Sequence, residues 1–174
     1  MNAQARRPAA LLGAVARGAA WATRASVGLA GAFMLLAIAY QVLMRYVFGD
    51  TPSWSEELAV LLFCWTVLGG LALGVHEGYH VRLTVLLDAL PTPARIWAER
   101  ATDGVTAALG AFLAWSGWRF LDITAGSVSA AIGYPTEILN VLAPIAGALV
   151  ALFGLERALR PSGALPPPQE RAAA

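Results

Sequence analysis

Residues 25–44, ASVGLAGAFMLLAIAYQVLM, run for twenty positions between Arg24 and Arg45 without one charged side chain. At 1.5 Å per residue, a helix of that length spans about 30 Å, the thickness of a bilayer's hydrocarbon core. Lipid offers no partner for backbone N–H and C=O groups, so the stretch is read as a transmembrane helix. Three further stretches read the same way. Residues 58–75, LAVLLFCWTVLGGLALGV, lie between Glu57 and His76, and residues 138–155, ILNVLAPIAGALVALFGL, between Glu137 and Glu156. Residues 104–118, GVTAALGAFLAWSGW, lie between Asp103 and Arg119 and extend through Phe120 and Leu121. This third stretch is the shortest and reads as a tilted or snorkelling span. The expected fold is an all-α integral membrane protein with four transmembrane helices, at about 25–45, 55–75, 103–121 and 138–156.

Composition agrees. Of 174 residues, 58% are hydrophobic and 13% charged, against about 25% charged in soluble globular domains. This composition counts against a soluble single domain and excludes disorder for the bulk of the chain. The net charge is +1, and all twelve basic residues are arginines. Ten fall in the N-terminal arm, in the segment between spans two and three, and in the tail, leaving Arg45 and Arg119 on the other side. The positive-inside rule then places both termini in the cytoplasm. No basic patch of the kind that binds nucleic acid is present. Cys64 is the only cysteine, so no internal disulfide forms.

Residues 1–24 read as a cytoplasmic arm, with Leu11, Leu12, Val15 and Trp21 suited to the membrane interface. A cleaved signal peptide is disfavoured, because Arg17 interrupts the apolar run and a full span follows at once. Residues 25–157 make up the membrane domain. The Pro- and Ala-rich tail, 158–174, reads as disordered.

The connections carry the finer information. YVFGDTPSWSEE, residues 46–57, is short enough to force an antiparallel helical hairpin. Ser53 and Glu56 have capping-box spacing, which starts the second helix near Trp54. Gln41 and Arg45 share one face, as do Trp54, Glu57, Leu61 and Trp65. An Arg45–Glu57 ion pair fits both helix ends; alternatively, each charge caps its own helix and meets headgroups and water. Between spans two and three, His80, Thr84 and Asp88 fall on one helical face and Leu83, Leu86, Leu87 and Leu90 on the other. This predicts an amphipathic helix along the cytoplasmic surface, ended by Pro91 and Pro93. Gly70, Gly74 and Gly78 recur every four residues and suggest a face for close helix contact. Arg119 and Asp122 are spaced to pair. Pro135 suits the opening of a helix, Pro144 predicts a kink in the last span, and Asn140 is expected to face another helix.

Residues 76–80, His-Glu-Gly-Tyr-His, match HExxH literally. On a helix that spacing puts two imidazoles on one face to hold zinc, with the glutamate as general base of a metalloprotease. Glu99, nineteen residues beyond His80, would be the third ligand. Against this, Gly78 costs about 1 kcal/mol in the helix that must carry both ligands. The prolines interrupt the route to Glu99, and interfacial histidines are ordinary at the end of a span. The chain has no GxxxxGK[ST] loop, no pair of histidines facing across two spans for haem, and no mid-span acid to carry ions or protons. These features point to a subunit that supports a partner, without catalysis and without a cofactor of its own.

QVLMRYVFGDTPSWSEELAVLLFCW resembles the first hairpin of the small membrane subunit, DctQ type, of tripartite ATP-independent periplasmic (TRAP) transporters. Gln41, Val42, Arg45, Tyr46, Trp54, Glu56, Glu57 and Leu58 match the family pattern. GYHVRLTVLLDALP is similar to its next segment through His80, Arg82, Leu86, Leu87, Leu90 and Pro91. IGYPTEILNVLAPIAG is similar to the lead into its last span through Gly133, Pro135, Pro144 and Gly147. The resemblance covers about residues 25–157, with Thr84 standing where the family usually has Asp and no basic residue ahead of His80. It implies a bacterial inner-membrane subunit bracing a large multi-span subunit. That partner would take up an organic anion, a carboxylate or dicarboxylate, delivered by a periplasmic binding protein; sodium coupling belongs to the large subunit. Arg45, Trp54 and Glu57 would hold the outer end of the hairpin or its contact with the partner. Gln41, Glu56 and Pro135 are further structural or interface positions, and His80 and Arg82 would anchor the surface helix to lipid headgroups or the partner.

Overall fold

The computed structural model describes residues 3–50, 52–78, 91–129 and 132–159. Among them every regular element is helical, with one isolated antiparallel bridge between Val128 and Pro135. Helix α1 spans Ala3–Leu43 and continues into a π-helical turn, Met44–Phe48. Helix α2 spans Ser53–Glu77, α3 Thr92–Thr124, the short α4 Glu137–Asn140, and α5 Leu142–Ala158. The segment expected to form the surface helix, with His80 and Arg82, lies outside the described residues.

Three helical stretches are long and apolar enough to cross a membrane: Leu11–Phe48, Ser53–Glu77 and Glu137–Ala158. The third expected span lies within α3, whose 33 residues give ample length. Trp115, Ser116, Trp118 and Arg119 make it less apolar than the others. Helix α1 passes through Arg24 without a break, so residues 3–24 extend the first span as one rod of 41 residues, about 62 Å long.

The hairpin differs from its sequence reading at both helix ends. The first helix ends as a π turn rather than at Arg45. It is closed by Gly49 at φ 71°, whose N–H donates to the Met44 carbonyl; a β-carbon there would be strained. Helix α2 begins at Ser53, and no capping box forms. Ser55, fully buried, instead donates its hydroxyl to the Pro52 carbonyl at 2.7 Å. Pro144 acts as expected: it has no N–H for the Asn140 carbonyl, and the last span is interrupted at Val141.

Helix α1 packs on α2, α2 on α5, and α5 most extensively on α3. The order α1–α2–α5–α3 is a layer of helices. Ala16, Ala20, Ala72, Leu73, Val75, Val150 and Phe153 form the buried cluster where α1, α2 and α5 meet. The closest approach is between α3 and α5. A β-carbon on Gly147 would lie 2.4 Å from the Ala114 nitrogen, and one on Gly110 would lie 2.4 Å from the Ala151 nitrogen. Such backbone proximity needs small residues on both helices, the usual solution in lipid, where apolar burial does not drive helices together. Gly70, expected at such a face, has open space around it, whereas its neighbour Gly69 meets Val27 of α1. Contact with α1 therefore falls on Gly69 rather than Gly70.

Candidate subunit-contact site and the helix-end networks

One end of the layer is built around the hairpin. The Tyr40 and Trp54 rings lie 5.6 Å apart, joining the end of α1 to the first turn of α2. Glu57 projects from α2 to the loop after α3, where its carboxylate accepts a hydrogen bond from the Ser129 hydroxyl, 72 residues away in sequence. The loop is fixed in turn: the Ser129 N–H donates to the Tyr134 carbonyl at 2.8 Å, and the Thr136 N–H to the Ser127 carbonyl at 3.0 Å. Glu137 accepts the Gly126 N–H at 2.7 Å, and the Asn140 amide donates to Thr124 Oγ1 at 3.0 Å. Asn140 thus faces another helix, as expected of an amide near a span.

The expected Arg45–Glu57 ion pair does not form. Arg45 lies in the π turn, exposed, and Glu57 is engaged by Ser129. Widening the last turn moves Arg45 off the line it would share with Gln41 in a regular helix. Likewise, Arg119 and Asp122 are both exposed and unpaired with each other. Gln41 and Glu56 both line an open groove of about 390 Å³ between α1 and α2, together with Met34, Ile38, Ala59, Val60 and Phe63. Pro135 sits in the bridge with Val128, where its missing N–H is no loss. Adjacent acids thus have different tasks: Glu57 faces inward to tie the loop, while Glu56 is exposed on the groove.

The opposite end carries a second network that local spacing did not reveal. Arg24 of α1 pairs with Glu77 at the end of α2. Arg157 of α5 pairs with Asp103 of α3 at 3.1 Å, with only 9% and 21% of these side chains exposed. The His76 ring lies 4.8 Å from Phe153 at the buried cluster. Sequence spacing shows none of these pairs, because the partners are 53, 54 and 77 positions apart. The one available signal was an arginine or acid flanking each span.

The same region corrects the zinc reading. Helix α2 ends at Glu77, and Gly78 adopts φ 80° with its N–H on the Gly74 and Val75 carbonyls. HExxH needs a continuous helix through both histidines to place them on one face, and the left-handed residue between them removes that register. A β-carbon at Gly78 would also lie 2.6 Å from the Arg157 guanidinium. The glycine serves the helix stop and the approach of Arg157.

These features define a class: a multi-pass helical membrane protein whose polar side chains tie helix ends together. Residues 34–162 match the family model described as tripartite ATP-independent periplasmic transporters, DctQ component, and the chain belongs to that family, the small permease subunits of TRAP transporters. It is 28% identical over 127 residues to the sialic acid TRAP transporter small permease protein SiaQ of Vibrio cholerae, covering 72% of this chain and 73% of that one. It is also 30% identical over 146 residues to the uncharacterized protein y4mM of Sinorhizobium fredii, covering 83% of this chain but 27% of that protein. The chain therefore spans about a quarter of that relative's length. A shorter match, 38% identity over 55 residues, joins 32% of this chain to 9% of the sialic acid TRAP transporter permease protein SiaT of Haemophilus influenzae.

Proposed function

We propose that this chain is a non-catalytic small permease that braces a large multi-span membrane subunit. In this reading, the assembly takes up an organic anion, a carboxylate or dicarboxylate delivered by a periplasmic binding protein, with sodium coupling in the large subunit. In this reading α3 supplies the third of four spans, and both termini lie on the cytoplasmic side of a bacterial inner membrane. Arginine bias supports this orientation.

The observation that carries the proposal is the division of labour between Glu57 and Glu56. Glu57 closes the chain's own outer end, while Gln41 and Glu56 face outward over an apolar groove between α1 and α2. A groove of this kind suits a helix from the partner, with the two polar groups fixing its depth. Arg45 and Trp54 stabilise the hairpin that forms the groove. His80 and Arg82 are assigned to anchoring the segment between α2 and α3.

Purification of the tagged chain from its native membranes in mild detergent, followed by mass spectrometry, tests the proposal. A large multi-span protein in equal amount is the expected result. Recovery of the chain alone under conditions that preserve other membrane complexes would overturn it.

A further inference from the structure

Helix α1 carries a feature that the brace does not use. Arg17, Trp21 and Arg24 are spaced i, i+4, i+7, so they lie along one strip of the helix. Ala16, Ala20 and Thr23, one position before each, are buried against the rest of the layer. The strip thus borders the packed face: Trp21 is 73% exposed and the Arg24 side chain 63%, while the Arg17 guanidinium reaches back beside Gly13, near the buried Glu156 carboxylate. Arg17 is exposed and forms no ion pair among the described residues. Arg24 shares one guanidinium nitrogen with Glu77 and keeps its remaining donors available.

Depth fixes the environment. Arg24 lies level with the end of α2 at Glu77, where the apolar stretch gives way to charge. Arg17 lies seven residues, about 10 Å, further from the membrane centre. The two guanidinium groups therefore bracket the headgroup layer on the side richest in arginine, with an indole between them. A tryptophan ring settles at that level, its N–H toward polar groups and its body toward acyl chains. Guanidinium groups match phosphate oxygens in geometry as well as charge. The family match begins at Met34, so the strip lies ahead of the matched residues.

We propose that Arg17, Trp21 and Arg24 form a headgroup site for an anionic phospholipid of the inner leaflet, with the phosphate held between the two arginines and Trp21 packed beside the glycerol. The site rests on the membrane reading of α1 and is independent of whether the chain braces a partner.

The test uses the full chain in mild detergent, titrated with fluorescent phosphatidylglycerol and, separately, with fluorescent phosphatidylcholine. The wild type should prefer the anionic lipid. Each arginine near such a surface is worth about fivefold in affinity. R17Q should therefore lower the preference about fivefold and R17Q/R24Q about twenty-five-fold, with phosphatidylcholine binding and helical circular dichroism unchanged. E77Q keeps both arginines and removes the competing carboxylate, so it should retain or raise the preference. Equal binding of the two lipids, an undiminished preference in R17Q, a drop in E77Q, or displacement of the lipid by millimolar inorganic phosphate would each overturn the proposal.

Discussion

Replacing Gly147 with alanine adds one methyl group where α5 meets α3. The new β-carbon would stand 2.4 Å from the Ala114 nitrogen and 2.8 Å from the Gly110 carbonyl oxygen. Ordinary contact begins near 3.4 Å, so the backbones must separate by about 1 Å. Neither obstacle is the flexible end of a side chain. The strain cannot be relieved by a rotamer change, and separating the helices also loosens Gly110 against Ala151 and Gly154 against Ala107. Overpacking of this type costs about 1–3 kcal/mol, and a leucine at the same position should cost more. Gly70→Ala is the matched control, because nothing lies within 4 Å of its added carbon and alanine favours the helix by up to about 1 kcal/mol over glycine. Equilibrium unfolding in mixed micelles with increasing SDS, followed by far-ultraviolet circular dichroism, reads both variants. Equal stability of Gly147→Ala and Gly70→Ala would refute the close α3–α5 packing.

Three other outcomes follow from the helix-end networks. Glu57→Ala removes the Ser129–Glu57 hydrogen bond and should cost about 1–2 kcal/mol, lowering the amount of assembled complex; Glu56→Ala should leave the unfolding midpoint unchanged and weaken only partner recovery in the pull-down. Arg157→Ala strands the largely buried Asp103 carboxylate and should cost about 3 kcal/mol, whereas Arg24→Ala, at a more exposed pair, should cost under about 1 kcal/mol; thermal melts of the two variants distinguish them. Gly78→Ala forces an L-residue into a left-handed conformation, at a cost of about 1–2 kcal/mol before the clash with Arg157 is counted, while His76→Ala should leave uptake by the intact complex unchanged; loss of zinc together with loss of activity in His76→Ala would revive a metal site.

The class of molecule was legible in the amino-acid order alone. Uncharged runs of bilayer length need no tertiary information, because lipid forces each to satisfy its backbone internally. The short hairpin, the break before Pro144 and the engagement of Asn140 were also legible, since each depends on a local rule about turn length, a missing donor or a buried amide. The motif residues Gln41, Arg45, Trp54, Glu56 and Glu57 could be selected from the sequence, but their roles could not be separated. A regular helix predicts Arg45 opposite Glu57; the π turn that displaces Arg45 and the loop that brings Ser129 to Glu57 depend on packing between segments far apart in the chain. The same holds for Arg24–Glu77, Arg157–Asp103 and the contact between Gly110 and Gly147. Glycine is frequent along these helices, and local spacing alone does not distinguish the open surface at Gly70 from the tight contact at Gly147. That distinction is set by which faces meet in the layer α1–α2–α5–α3, a choice made only when the four helices pack together.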